Sequence, residues 1–125
     1  MMTEDPVLLN DWFMVARARD LEDDAVKEVK LLGETLVLWR TGGRVMAWKD
    51  LCVHRGSKLS FGWVKDGQIV CPYHGWHYDT EAVCTLMPAH PKASPPKKAR
   101  AIAYRAREAY GMIWVCLGEP AHDVP

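Results

Sequence analysis

A chain of 125 residues, 49% hydrophobic and 26% charged with a formal net charge of zero, has the size and composition of one globular domain with a real core. Neutral overall charge argues against wholesale binding to nucleic acid or to an anionic membrane surface. No stretch approaches the roughly 20 apolar residues that span a bilayer. The opening "MMTEDPVLLND" carries acids where a secretory signal would carry positive charge, so a cytoplasmic location is expected.

In chain order, the first predicted element is a short helix near "DPVLLND", with Asp5 as cap and Pro6 in the first turn. Seven strands follow: "WFMVARA", "AVKEVKLL", "TLVLWR", "RVMAWK", "QIVC", "WHYDT" and "MIWVCLG". All are short, rich in Val, Ile, Trp and Tyr, and mostly alternating. The turn signals "LGET", "TGGR", "KDGQ" and "AYGM" lie between strands or at their borders. Adjacent glycines in "RTGGRV" can take the positive φ values of a tight turn, which predicts a hairpin, and "VKDGQIV" predicts a second. The pattern is that of a small all-β domain.

Two stretches read differently. "LMPAHPKASPPKKARA" holds four of the eight prolines and is expected to be an exposed loop. "GEPAHDVP", residues 118–125, has the look of a linker leading into something else.

Charge is unevenly placed. Residues 1–24 hold seven acids against Arg17 and Arg19, and residues 92–107 hold six bases and no acid. Solvated surface explains both runs. The sharper reading of the basic run is a docking patch for an acidic redox partner.

The chemistry sits in "CVHRG", beginning at Cys52, and "CPYHGW", beginning at Cys71. Each loop carries one cysteine and one histidine, with sixteen residues between His54 and Cys71. Gly56 and Gly75 allow close approach of backbone to an inorganic core, and Pro72 stiffens the second loop. Chance pairing of core cysteines with surface histidines is improbable twice over. Cys2His2 is a legitimate tetrahedral zinc set, but zinc fingers generally pair Cys with Cys and His with His. The mixed order suits two sulfide-bridged irons between the loops, each loop giving its Cys to one iron and its His to the other.

That spacing, C-x-H, sixteen residues, then C-x-x-H, resembles the signature of the Rieske centre, in which two histidines replace two cysteines on one iron. The flanks "WFMVARARDL", "LVLWR", "AWKDLCVHRG" and "YGMIWVCLG" join the resemblance, which covers essentially the whole chain. It implies a Rieske fold: a small antiparallel β sandwich or barrel forming one domain over residues 1–125. A cluster-binding subdomain of two loops is expected at about residues 50–85, with residues 118–125 leading toward a catalytic domain. It also implies a Rieske 2Fe-2S cofactor, with Cys52 and Cys71 on the inner iron and His54 and His74 on the outer, solvent-facing iron.

Within the family, the respiratory and photosynthetic branch carries two further cysteines that form a disulfide, where this chain has Ser57 and Tyr73. Arg55-Gly56 with Tyr73 and Trp76 instead resembles the N-terminal domain of Rieske non-heme iron oxygenases. "CPYHGW", "PAHP" and "YGMIWVCLG" resemble the demethylase-type among them. Where the high-potential branch has a serine donating to a cluster sulfide, this chain has Trp76, and Tyr78 remains as a hydroxyl donor. A low potential is therefore expected.

Such a centre shuttles single electrons and does no bond chemistry itself. Oxygenation needs a mononuclear iron held by two histidines and a carboxylate. With two of five histidines assigned to the cluster, no remaining pair has that spacing. The expectation is an electron-transfer domain without a catalytic residue of its own. The resemblance implies an NAD(P)H-dependent reductase or ferredoxin as donor, a mononuclear iron catalytic domain as acceptor, and a trimer in the parent enzyme. The alternative is a stand-alone Rieske-type ferredoxin serving a separate oxygenase.

Weaker expectations attach to other residues. Cys84 and Cys116 read as buried thiols in or near strands. Trp76 is expected to cover the cluster, and His77 and His90 to lie near enough to titrate with it or to be ordinary surface histidines. "EPAH" at Glu119–His122 echoes a carboxylate–histidine iron motif but lacks a second histidine, and reads as chance.

Overall fold

The computed structural model describes residues 5–52, 57–72, 75–88, 95 and 99–124. The helix α1 (Pro6–Leu9) is capped as its sequence predicts, the Asp5 carboxylate accepting from the Val7 amide at 2.9 Å. Among the described residues ten strands follow: β1 (Phe13–Arg17), β2 (Val26–Leu31), β3 (Glu34–Thr41), β4 (Arg44–Lys49), β5 (Trp63–Lys65), β6 (Gln68–Val70), β7 (His77–Tyr78), β8 (Cys84–Leu86), β9 (Ala103–Ala109) and β10 (Met112–Cys116).

Six strands form one antiparallel sheet in the order β1-β10-β9-β4-β3-β2, and β1 packs back against β2 to bring the sheet close to a barrel. Three of its connections are two-residue turns with both residues at positive φ: Leu32-Gly33, Gly42-Gly43 and Tyr110-Gly111. Asp66-Gly67 makes the same turn between β5 and β6. That geometry matches the right-handed twist of the flanking strands, which is why Gly recurs at the second position.

β3 shows why the sheet carries a second layer. Leu36, Val37, Leu38 and Trp39 are all fully buried, although alternate residues of a strand face opposite ways. Leu36 and Leu38 join Leu21, Leu31, Ala47, Ile113 and Val115 inside the barrel. Val37 and Trp39, with Met46 and Trp48 of β4, face outward into a second core with Leu59, Ile69, Tyr78 and Cys84. That second core lies beneath a four-stranded antiparallel sheet, β5-β6-β7-β8, inserted in the chain between β4 and β9.

Two sequence expectations need adjusting. Of the proline-rich stretch, residues 89–94 and 96–98 lie outside the described residues, but its far end is not exposed. Ala99 and Ala101 are buried, held where the Cys84 amide donates to the Ala99 carbonyl (2.9 Å) and the Ala101 amide to the Ala82 carbonyl (2.8 Å). "GEPAHDVP" is stitched down as far as it is described. The amides of Gly118 and Ala121 donate to the carbonyls of Leu9 and Asn10, and the Trp12 indole donates to the His122 carbonyl at 2.7 Å. Ion pairs Arg105–Glu119 (2.7 Å) and Arg107–Asp123 (2.6 Å) tie the same segment to β9. Two bases of the basic run are thus neutralised within the chain, and Arg100 donates to the Glu81 carbonyl. Lys92, Lys97 and Lys98 lie outside the described residues.

Candidate metal centre

The two cysteine-bearing loops leave the ends of different strands. Cys52 lies three residues beyond β4, and Cys71 follows β6 directly. Each loop is closed by a hydrogen bond of the same span: the Cys52 amide donates to the Ser57 carbonyl (2.7 Å), and the Cys71 amide to the Trp76 carbonyl (2.8 Å). Gly75 sits at φ +69°, a conformation glycine adopts without strain, just before the second closure.

Both cysteines are fully buried and belong to the core between the sheets. Tyr78 links the loops. It pairs with Ile69 across β6 and β7, and its hydroxyl lies 3.3 Å from the Cys52 sulfur. Behind it, Trp48 meets the Tyr78 ring edge to face (centroids 6.3 Å apart), and Trp39 meets Trp48 likewise at 5.1 Å. Burial, then the contact with Cys52, pushes the Tyr78 phenol well above its ordinary range, so it stays protonated and able to donate.

Sequence reasoning assigned four ligands. The structure brings Cys52 and Cys71 into one core; His54 and His74 lie outside the described residues, as do Arg55, Gly56, Tyr73 and His90. Among the described residues no group of three or more His, Cys, Asp or Glu is clustered as a metal site. Two buried thiols on two like-built loops fit the two thiolates that a Rieske cluster requires on one iron.

The remaining candidates settle into plainer places. Trp76 is half-buried and packs against the core that holds both cysteines. His77 is half-buried, and its pKa is lowered by burial and by the nearby Lys65 charge, against an opposing pull from Asp66. Cys84 and Cys116 are buried thiols whose pKa values burial raises, with Cys116 Sγ 3.4 Å from the Leu9 carbonyl. Glu119 and His122 are spent on Arg105 and Asp11, the latter at 3.5 Å. One group went unnoticed in the sequence. Asp50, two residues before Cys52, has a wholly buried carboxylate. A lone Asp gives no sign of that, because most are solvated.

Fold and site together define a small all-β domain: a near-barrel with an inserted sheet whose core takes in the cysteines of both loops. The chain belongs to the Rieske [2Fe-2S] domain family, whose sequence model matches residues 11–103, and its cofactor is a Rieske 2Fe-2S cluster. It is 40% identical over 114 residues to the oxidoreductase NdmD of Pseudomonas putida, covering 90% of this chain and 19% of that protein. Against methylxanthine N1-demethylase NdmA of the same organism it is 46% identical over 89 residues, covering 71% of this chain and 25% of the relative. The solved structure of NdmA from strain CBB5 superposes with a TM-score of 0.84 at 40% identity, over 88% of this chain and 35% of that one. The reduced complex between oxygenase and ferredoxin in carbazole 1,9a-dioxygenase gives 0.78 at 31% identity, over 93% and 30%. The chain therefore spans between 19% and 35% of each of these proteins. Among the described residues no helix is long and apolar enough to cross a membrane.

Proposed function

We propose that the chain transfers single electrons as the N-terminal electron-transfer domain of a Rieske non-heme iron oxygenase. Cys52 and Cys71 hold the inner iron of its cluster, and His54 and His74 the outer iron. The cluster, when bound, supplies a one-electron carrier whose two neutral imidazoles make reduction easier than four thiolates would. The chain's own residues bury the thiolate side, seal it with Tyr78 and Trp48, and donate a hydrogen bond from Tyr78 to the Cys52 sulfur. The observation that carries this reading is the pair of like-closed loops, each bearing a buried cysteine in a matching Cys/His motif.

The electron donor is an NAD(P)H-dependent reductase or a ferredoxin, which similarity to NdmD and to a ferredoxin-bound oxygenase supports. The acceptor is a mononuclear iron domain reached beyond residues 118–125, in a trimeric, cytoplasmic parent. Similarity to NdmA supports demethylase-type chemistry for that parent. A second reading, a stand-alone Rieske-type ferredoxin delivering electrons to a separate oxygenase, is favoured by one observation: the 114-residue match is to a protein whose name, oxidoreductase NdmD, specifies no oxygenation.

Anaerobic reductive titration of the purified protein tests both readings at their common point. One electron per chain is expected, with bleaching of visible absorption. Supplied with reductant, oxygen and an aromatic substrate, the chain should form no hydroxylated or demethylated product. Uptake of no electron, or product formation that survives removal of free iron, overturns the proposal.

A further inference from the structure

Among the described residues, Asp50 is the only charged residue that is buried, at 7% exposed overall and 0% for its side chain. Its two oxygens are used on one residue: Oδ1 accepts from the Ser60 amide at 2.7 Å and Oδ2 from the Ser60 hydroxyl at 2.5 Å. Its own amide donates to the Thr35 carbonyl of β3 at 3.0 Å. Asp50 thus fastens the chain just before Cys52 to the turn that follows the first loop, and both to the barrel.

A cation completes the arrangement. Lys58 Nζ lies 3.8 Å from Asp50 Oδ2, forms an ion pair with Glu28 of β2, and stands 5.1 Å from the centre of the Phe61 ring. The Lys58 side chain is 36% exposed. Burying a carboxylate is costly unless it is bonded and paired, and here it is both. A neutral Asn could accept the same amide and bond the same hydroxyl. What only the carboxylate adds is charge. Its Cα lies within about 7.6 Å of that of Cys52, at about 3.8 Å per residue. A buried charge at that range is weakly screened, whereas the lysine is open to solvent and ions.

We infer that Asp50 positions the first ligand loop and that the Asp50–Lys58 pair sets the cluster's reduction potential, the carboxylate lowering it and the ammonium partly offsetting that effect. The inference rests on Cys52 being a cluster ligand. Negative charge near the cluster disfavours the incoming electron, and positive charge favours it, so the two residues pull in opposite directions.

The test is spectroelectrochemical titration of the cluster-loaded protein at low ionic strength, with iron counted per chain. Asp50→Asn, which keeps both bonds to Ser60, should load iron as the unaltered protein does and show a raised midpoint. Lys58→Met should show a lowered midpoint, smaller in size and shrinking as salt is added. The double variant should fall between them, and Asp50→Ala, which loses the bonds to Ser60, should retain less iron. Midpoints unchanged in both single variants, or moved in the same direction, overturn the inference. If Asp50→Asn holds no cluster, Lys58→Met decides alone: a lowered midpoint upholds it and an unchanged one overturns it. Absence of an iron–sulfur spectrum in the unaltered protein would instead defeat the ligand assignment, before any variant is compared.

Discussion

The Tyr78 hydroxyl lies 3.3 Å from the Cys52 sulfur, across 26 residues of sequence and from one cysteine-bearing loop region to the other. Once Cys52 is a metal-bound thiolate, only the phenol has a proton to give. The bond then favours the more negative, reduced state of whatever Cys52 holds. Tyr78→Phe should therefore lower the midpoint potential. A hydrogen bond to a charged acceptor is worth about 1.5–3 kcal/mol, or about 65–130 mV for one electron. That range is a ceiling, because the bond exists in both oxidation states. Voltammetry reads the shift directly, and an unchanged or raised midpoint would show that the hydroxyl does not donate to the ligand.

Trp76 leads to an expectation for the unaltered protein. It occupies the position where the high-potential branch has a serine hydroxyl, and its half-buried indole packs on the core rather than offering that hydroxyl. Rieske centres span about −150 to +300 mV. The midpoint here should lie in the lower third, below about 0 mV. A value above about +150 mV would assign the chain to the respiratory branch instead.

Backbone contact makes Gly62 the sharpest test of the inserted sheet. A Cβ there would sit 1.9 Å from the Val70 carbonyl oxygen, one residue before Cys71, with no flexible side chain to yield. Gly62→Ala should destabilise the protein by about 1–3 kcal/mol, as overpacking does, and loosen the second loop. Gly42→Ala makes the comparison. Nothing lies within 4 Å of its Cβ, but φ is +56°, so only the left-handed strain of about 1 kcal/mol applies. Denaturant melts with iron retention as a second readout should separate the two: only Gly62→Ala should shed iron faster.

Much of this architecture was legible in the sequence because its signals are local. Glycine marked all four tight turns, two of which, Gly42-Gly43 and Asp66-Gly67, were read as hairpins, and Asp5-Pro6 announced the helix. β9 was missed. "AYRAREA" is built from Ala, Arg and Glu, which favour helix, and it is a strand only because β4 and β10 flank it. β8, three residues long, is too short to show a period. The clamping of residues 118–123 was invisible for a different reason: its bonds to Leu9, Asn10 and Trp12 join residues more than 100 positions apart. At the site, motif spacing pointed to the cysteines, and the family resemblance to Tyr78. It could not reveal Asp50, whose burial depends on Ser60 and Lys58 arriving from beyond the loop.

The two remaining cysteines should be chemically silent. Cys84 and Cys116 are buried, and burial raises both thiol pKa values above the ordinary cysteine range, so the reactive thiolate is scarce at pH 8. In the folded, cluster-loaded protein neither should be alkylated by iodoacetamide, and in denaturant both should be. The rate in the native state should stay low as pH rises toward 9. Rapid native labelling at either position, mapped by mass spectrometry, would contradict that placement.

The central claim is a two-iron, two-sulfide cluster held by Cys52, His54, Cys71 and His74. Pulsed electron paramagnetic resonance on the reduced protein, with iron and sulfide counted on the same sample, tests it most directly. About two irons and two sulfides per chain and coupling to two ring nitrogens are expected, with loss of the signal in Cys52→Ser and in His74→Ala. Stoichiometric zinc in protein from iron-replete cells, or a reduced cluster with no nitrogen coupling, would contradict it.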